Sequence, residues 1–366
     1  MTPLRMLHTE SSLGWGGQEI RILTESAGFV QRGHSVKILA PRQSNIFKVA
    51  GNYGVEAVPC EMGGKNIPSL RATIQTLREH PADILLSHSS TDSWLGAIAT
   101  RFISTPPPII RVRHVSTGVP TNWPTRWLYS RAARHIVTTG EMVREQMIRV
   151  NGFPPEQITS IPTGIDREKF KPGDQLTARK KLGLPESGLI VGMVATMRSW
   201  KGHKFLLPAF AQMQDQQARL LLVGDGPVRG NIERQIAELN LKERVILVGN
   251  QENVPPWLQA MDLFVLPSYG NEGIPQGLMQ GMLTGLPVIT TRVGGIPEIV
   301  EDGQTGILLS PKDVPSLTNA LNELLSHHER RQQMGRNALQ VAQERFGLEI
   351  MLDRMEEIIR RIIAAP

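Results

Sequence analysis

The feature that most constrains this chain is an alternation of apolar strands and amphipathic helices that runs for about 160 residues, breaks, and begins again. Residues 4–8 form a short apolar run, and Glu10 to Gly17 a polar, glycine-bearing loop. Ile20, Leu23, Ala27 and Val30 then recur at three- and four-residue spacing, which predicts one face of a helix. Gly33-His34 stops that helix, and residues 36–40 follow as a strand. Such a strand–helix–strand unit joins parallel strands, whose sheet has to be covered by helices. Residues 84–86, 109–112 and 135–138 continue the series.

The break falls at residues 164–187, where Pro162-Thr163-Gly164-Ile165-Asp166 and Lys171-Pro172-Gly173-Asp174 are turns and a short charged helix follows. Strands are then expected at 189–194, 218–223, 245–248, 263–266 and 287–290, with a helix at 204–213. A chain of 366 residues is long enough for two such cores. The fold class is therefore α/β, with two Rossmann-like domains of parallel strands at 1–165 and 166–345. The last segment, 346–366, carries Ile350, Met351, Met355, Ile358, Ile359 and Ile362 at helical spacing. Ligands of such sheets bind at the carboxyl ends of the strands, so two facing crevices would form a deep cleft for two substrates.

Charge is unevenly divided between the halves. Residues 1–170 hold 19 Lys and Arg against 13 Asp and Glu, whereas the remainder hold 21 of each. A basic face attracts phosphorylated acceptors, acidic lipids or nucleic acid, although solvated arginine with no partner reads the same way. Cys60 is the single cysteine, which excludes an intrachain disulfide and fits a reducing cytoplasm. Aromatic residues make up only 5%, against a carbohydrate-binding module of stacked rings. No run of about 18 apolar residues is present to span a bilayer, and the first residues do not read as a signal peptide.

Three loops stand where ligands of parallel sheets bind. Gly14-Trp15-Gly16-Gly17 opens the first helix, where free amides favour an anion, or where a tight turn needs no ligand at all. Gly63-Gly64-Lys65-Asn66 lacks the spacing of a phosphate-binding loop. After the strand at 189–194, Arg198 and Lys201 offer a fork and a point charge to two phosphates, or a solvated surface. The stretch Asn271-Glu272-Gly273-Ile274-Pro275-Gln276-Gly277-Leu278-Met279-Gln280 follows the strand at 263–266. Pro275 suits the first turn of a helix, whose amides around Ile274, Gln276 and Gly277 would meet a phosphate at the positive end of the dipole. A capping glutamate on an ordinary helix is the bland alternative for Glu272.

The ordered series Gly164-Ile165-Asp166 with Phe170, Arg198 and Lys201-Gly202, Val223-Gly224-Asp225-Gly226-Pro227, Glu272-Gly273, Gly285-Leu286-Pro287-Val288-Ile289, Gly294-Gly295-Ile296-Pro297-Glu298 and Gly303-Gln304-Thr305-Gly306 closely resembles the family 4 glycosyltransferases. That family has the GT-B architecture of two facing Rossmann-like domains. The resemblance implies a retaining, metal-independent enzyme with no cofactor beyond a UDP-, GDP- or ADP-sugar donor, and no Asp-x-Asp pair occurs here. It gives Glu272 the donor-sugar hydroxyls and Lys201 the diphosphate. The position that binds the ribose hydroxyls, a glutamate in the family, is Gln280 here; an amide still accepts from one hydroxyl and donates to another.

Arg198 stands three residues before Lys201, where the family's arginine stands five or six before. Gly16 and Gly17 match the loop over the diphosphate, His114 the histidine that touches the donor sugar, and Gln251 the loop that holds the base. The resemblance also implies an acceptor-binding first domain, a donor-binding second domain, and a last helix that crosses back onto the first.

The expected partners are thus a nucleotide-sugar donor and a glycan, lipid-linked or phosphorylated acceptor. Trp123, Trp127 and Tyr129 interleave with Arg126, Arg131 and Arg134, a pattern that suits an anionic membrane surface at the inner face of the cytoplasmic membrane, or a helix packed on the sheet. A nucleotide-sugar epimerase of the same fold is the alternative enzyme. A nucleic-acid-binding module is the alternative outside enzymes, and no motif supports it.

Overall fold

A computed structural model describes residues 2–114, 117–270 and 272–365, and the chain divides into one unit of residues 1–164 with 348–366 and a second of residues 165–347. The first unit carries β1 (Arg5–Thr9), β2 (Ser35–Ala40), β3 (Glu56–Pro59), β4 (Ile84–Ser87), β5 (Ile109–Arg113), β6 (His135–Thr138) and β7 (Ile158–Ser160). These form one sheet in the order β3-β2-β1-β4-β5-β6-β7, and every pair is parallel. Parallel strands covered on both faces are buried throughout, as β4 and β6 are at every residue, the polar Ser87, His135 and Thr138 included. The sequence order reverses between β1 and β4.

The second unit repeats the plan with β8 (Ile190–Val194), β9 (Arg219–Val223), β10 (Val245–Gly249), β11 (Leu263–Leu266), β12 (Val288–Thr291) and β13 (Gly306–Leu309). Their order is β10-β9-β8-β11-β12-β13, again all parallel, with the reversal between β8 and β11. A reversal splays the two neighbouring crossover helices to opposite faces and opens a crevice at the strands' carboxyl ends. Each unit therefore has one such place, at β1/β4 and at β8/β11.

Three helices bear on those places. Gly17–Gln31 follows β1 and stops at Gly33, which takes φ +86°. His203–Gln212 follows β8, and Gln276–Leu283 follows β11. The last helix, Leu348–Ala364, belongs to the first unit. Its Leu352 lies against Gly28 of the first helix so closely that a Cβ there would meet Leu352 Cδ1 at 2.4 Å. Arg32 secures the same contact through Asp353 at 2.7 Å and Glu356 at 3.3 Å. No helix of the described residues is long and apolar enough to cross a membrane.

The stretch that interleaves aromatic and basic residues differs from its expectation as a single short helix. Trp123–Trp127 is α-helical and Leu128–Ala132 continues with π-type bonding. Trp127 stacks on Trp94, and Tyr129 is buried against Phe153, where it accepts from Arg113 at 3.2 Å. Trp123 alone of the three rings is fully open, at 78% exposure.

Candidate active site

The second unit places an ion pair at the β8/β11 reversal. After β8 the chain passes through Arg198 into a single 3-10 turn, Ser199–Lys201, and then Gly202. Gly202 holds φ +84°, and a Cβ there would sit 1.9 Å from the Pro267 carbonyl oxygen. Only glycine allows the turn to press so closely on the segment that leaves β11. The contact is sealed by Tyr269, whose amide donates to the Trp200 carbonyl at 2.8 Å.

The consequence is that Lys201 reaches Glu272, seventy-one positions later. Its Nζ lies 2.8 Å from Oε1 and 2.9 Å from Oε2 of a carboxylate that is 4% exposed. Ser268 donates its hydroxyl to Oε1 at 2.7 Å, and Thr291 in turn donates to the Ser268 carbonyl. Gly273, the residue after Glu272, is braced from the loop after β12, because the Gly295 amide donates to its carbonyl at 3.1 Å. A buried carboxylate must be paired or hydrogen-bonded, and this one is both.

Pro275 differs from its expected place in the first helical turn. It is the N-cap, with φ −71° and ψ 120°, and the helix starts at Gln276. No side chain caps that helix, and the Leu278 amide donates to the Pro275 carbonyl at 3.2 Å. Gly277 lies under the carboxyl end of β8, where an added Cβ would approach the Val194 carbonyl to 2.5 Å. Ile274 is buried beneath the same turn, and Gln280 is half-buried one turn further on. Asn271 lies outside the described residues.

Two expected site residues stand apart from this cluster. Arg198 is exposed, and its guanidinium lies 5.4 Å above the Trp200 ring instead of joining the ion pair. Gln251 follows β10 at the sheet edge and is tied back by its own amide, which donates to the Val248 carbonyl at 2.8 Å. Behind Lys201, burial and the lysine's charge push His203 down to about 4, so it is neutral at pH 7.

The first unit builds its reversal differently. Gly16 is the extended N-cap of the helix Gly17–Gln31, again with no side-chain cap. The adjoining loop is organised by Glu10, a buried carboxylate that accepts from the Ser12 amide at 2.7 Å and from Ser89 and Gln18. Burial, with the Asp92 charge beside it, raises Glu10 to about 7. Asp92 accepts from the amides of His88 and Ser89, each at 2.9 Å, and from Thr9 at 2.9 Å. His114 leaves β5 and meets His88 at 2.9 Å. Sequence reasoning passed over Glu10, His88, Asp92 and Ser268. The available signal was position: each is a polar residue at the carboxyl end of a strand beside a reversal, or in the first turn after it. Among the described residues no three His, Cys, Asp or Glu converge to hold a metal ion.

Comparison with known proteins adds family and fold. The model for glycosyl transferases group 1 matches residues 174–341, and that for glycosyltransferase family 4 matches residues 15–169. The UDP-Gal:alpha-D-GlcNAc-diphosphoundecaprenol alpha-1,3-galactosyltransferase of Escherichia coli is 29% identical, over 70% of each chain. The N-acetyl-alpha-D-glucosaminyl L-malate synthase of Bacillus anthracis is 32% identical over 56% of this chain, which spans only about half, 54%, of that enzyme's length. Among solved structures, a glycosyltransferase from Rickettsia africae ESF-5 superposes with a TM-score of 0.90 at 19% identity, covering 100% of both chains. Anabaena Alr3699/HepE, solved in complex with UDP and glucose, gives 0.85 at 22% identity over 98% of this chain and 99% of its own. Both show the two-domain α/β fold of GT-B enzymes.

Proposed function

This chain belongs to the family 4 glycosyltransferases, and on that premise we propose that it is a metal-independent, retaining enzyme that moves a hexose-type sugar from a UDP-, GDP- or ADP-sugar to a hydroxyl of a glycan, glycolipid or lipopolysaccharide-core acceptor. The observation that carries the reading is the Lys201–Glu272 pair beside the helix start at Gln276, at the reversal of the second sheet. A sugar diphosphate suits such a place because it presents both kinds of group that the pair can satisfy. Its phosphates accept from Lys201 and from the amides of Gln276 and Gly277, and its sugar hydroxyls donate to the Glu272 carboxylate.

In the reaction the bond from the anomeric carbon to the diphosphate breaks, and its electron pair leaves with the phosphate oxygen. Lys201, Arg198 and the helix start stabilise that negative charge; one preorganised donor of this kind contributes about 3 kcal/mol to the barrier reduction. The acceptor oxygen bonds to the anomeric carbon on the face the phosphate leaves, and its proton passes to the departing phosphate oxygen. Gln280 takes the ribose hydroxyls and Gln251 the base. Gly16, Gly17 and His114 keep the roles that the family resemblance gives them. One relative, whose name carries UDP-Gal, supports a nucleotide-sugar donor.

Thermal-shift screening against nucleotide-diphosphate sugars identifies the donor, since bound donor stabilises the fold. Product analysis with that donor and a hydroxyl acceptor then tests the reaction. Full transfer by both Glu272→Ala and Lys201→Ala would falsify the assignment.

Contact with an anionic membrane surface at the inner face is the reading of the exposed Trp123 together with the exposed Arg126, Arg131 and Arg134. Flotation with anionic liposomes at low salt tests it; a chain that stays with the soluble fraction refutes it.

A further inference from the structure

Three histidines stand in a line across the carboxyl edge of the first sheet. His8 is the last residue but one of β1, His88 follows the last residue of β4, and His114 follows the last residue of β5, and these strands are neighbours. His8 Nδ1 lies 2.9 Å from His88 Nε2, and His88 Nδ1 lies 2.9 Å from His114 Nε2. The ring centroids are 5.1 Å and 5.2 Å apart. With the facing nitrogens at 2.9 Å, such separations fit rings that meet edge to edge, with the proton of each bond between the two nitrogens. His8 and His88 are buried, and the His88 amide is anchored on Asp92.

We propose that His8 and His88 are positioning residues that lock His114 as its Nδ1–H tautomer, so that His114 meets a ligand as a hydrogen-bond donor. Each neutral imidazole has one N–H, and the two bonds between three rings admit two directions. In one, the protons point from His114 towards His8, and His8 Nε2 carries a proton. That atom is buried, and among the described residues it has no partner. An orphaned N–H in the interior is the rarer and costlier arrangement. The cation that bears on His8 is Arg21, whose own Nη2 is a buried donor without a partner among the described residues, and a positive neighbour favours a lone pair over a further N–H.

The protons therefore run from His8 to His88 to His114. His114 Nε2 is an acceptor inside the chain, and its proton is on Nδ1, the reverse of the tautomer imidazole prefers in water. Burial, followed by mutual repulsion and the charges of Arg21 and Arg111, keeps the rings neutral: His8 is pushed down to about 3, and His88 and His114 well below their ordinary value. A ring so held donates to a hydroxyl or phosphoryl oxygen and takes no proton from it. The inference rests on the transferase reading only for naming that oxygen as one of the sugar donor.

The test is ¹⁵N spectroscopy of the full chain labelled at histidine, with His114 assigned by substitution. At neutral pH His114 is expected to show a protonated Nδ1 and a bare Nε2. His88→Asn, whose amide can still donate to His114, retains that pattern; His88→Leu shifts His114 towards Nε2–H. In turnover, His88→Leu lowers kcat about tenfold at an unchanged donor KM, and Asn restores most of it. A protonated Nε2 or an imidazolium at His114 in the unaltered chain overturns the proposal, as does an unchanged tautomer in His88→Leu. Should the leucine variant not fold, the unaltered chain and His88→Asn still decide. The expected tautomer in a chain that transfers no sugar supports this inference and counts against the transferase reading alone.

Discussion

Lys201 Nζ bridges both oxygens of the Glu272 carboxylate, at 2.8 Å and 2.9 Å, while Ser268 donates to the same group at 2.7 Å. The lysine comes from the loop after β8 and the glutamate from the loop after β11, so the pair closes the reversal of the second sheet. By the proposed reading Lys201→Ala removes a donor to the leaving diphosphate, and it strands a buried carboxylate. kcat should fall by about 10²-fold, together with a lower melting temperature. Steady-state kinetics and thermal melting of the variant measure the two effects separately.

Gln280 replaces the second acidic residue of the family's motif and, by the proposed reading, holds the ribose. Deleting a neutral hydrogen bond of this kind costs about 1 kcal/mol. Gln280→Ala should therefore raise the donor KM by roughly fivefold with kcat within twofold. A loss confined to kcat would place Gln280 in the reaction instead.

Gly202 allows the Lys201 turn to approach the end of β11. Its φ of +84° and the 1.9 Å approach of a notional Cβ to the Pro267 carbonyl leave no room for a side chain. Gly202→Ala is expected to cost about 3 kcal/mol, or roughly 10 °C in a unit of this size, with loss of transfer activity. Denaturant unfolding and melting check it, with Gly51→Ala as control, since a Cβ there meets nothing within 4 Å.

Burial pushes His135 and His203 down to about 4, with the charges of Arg361 and Lys201 adding to it. The unfolded chain, with histidine near 6.5, binds more protons than the folded one between about pH 4 and 6.5, so stability rises with pH across that window. Each contributes stability that is present above pH 6.5 and lost as pH falls towards 4. Unfolding free energy should drop by about 2 kcal/mol per histidine from pH 7 to pH 5. Glu10 runs the other way: raised to about 7, it favours the folded state at low pH, and its contribution fades as pH rises from about 4.5 to 7. Denaturant titrations of His203→Gln, which lacks one of these groups, should show a flatter acid limb.

Long apolar strands and the helices after them were legible because their periodicities are local. β3, β7 and β13 were not: Glu56–Pro59 and Ile158–Ser160 mix polar and apolar residues, Gly306–Leu309 opens on glycine and is only four residues long, and each is held as a strand by its neighbours. Pro59 ends an edge strand, where its missing amide proton costs nothing. The helix start at Gln276 could be read from Pro275 and the preceding strand. The pairing of Lys201 with Glu272 could not, since it joins positions whose proximity is set by sheet order alone. The same holds for His8, His88 and His114, which nothing links until β1, β4 and β5 lie side by side. The arginines around Trp123 illustrate the converse: a composition that reads as one face is divided, because Trp127 and Tyr129 turn inward.

Whether the reversal of the second sheet receives a sugar diphosphate is decided by a crystal of the chain grown with its donor. Diphosphate oxygens are expected about 3 Å from Lys201 Nζ and from the amides of Gln276 and Gly277, with a sugar hydroxyl on the Glu272 carboxylate. Donor bound elsewhere, with Lys201 and Glu272 still engaged only with each other, would contradict it.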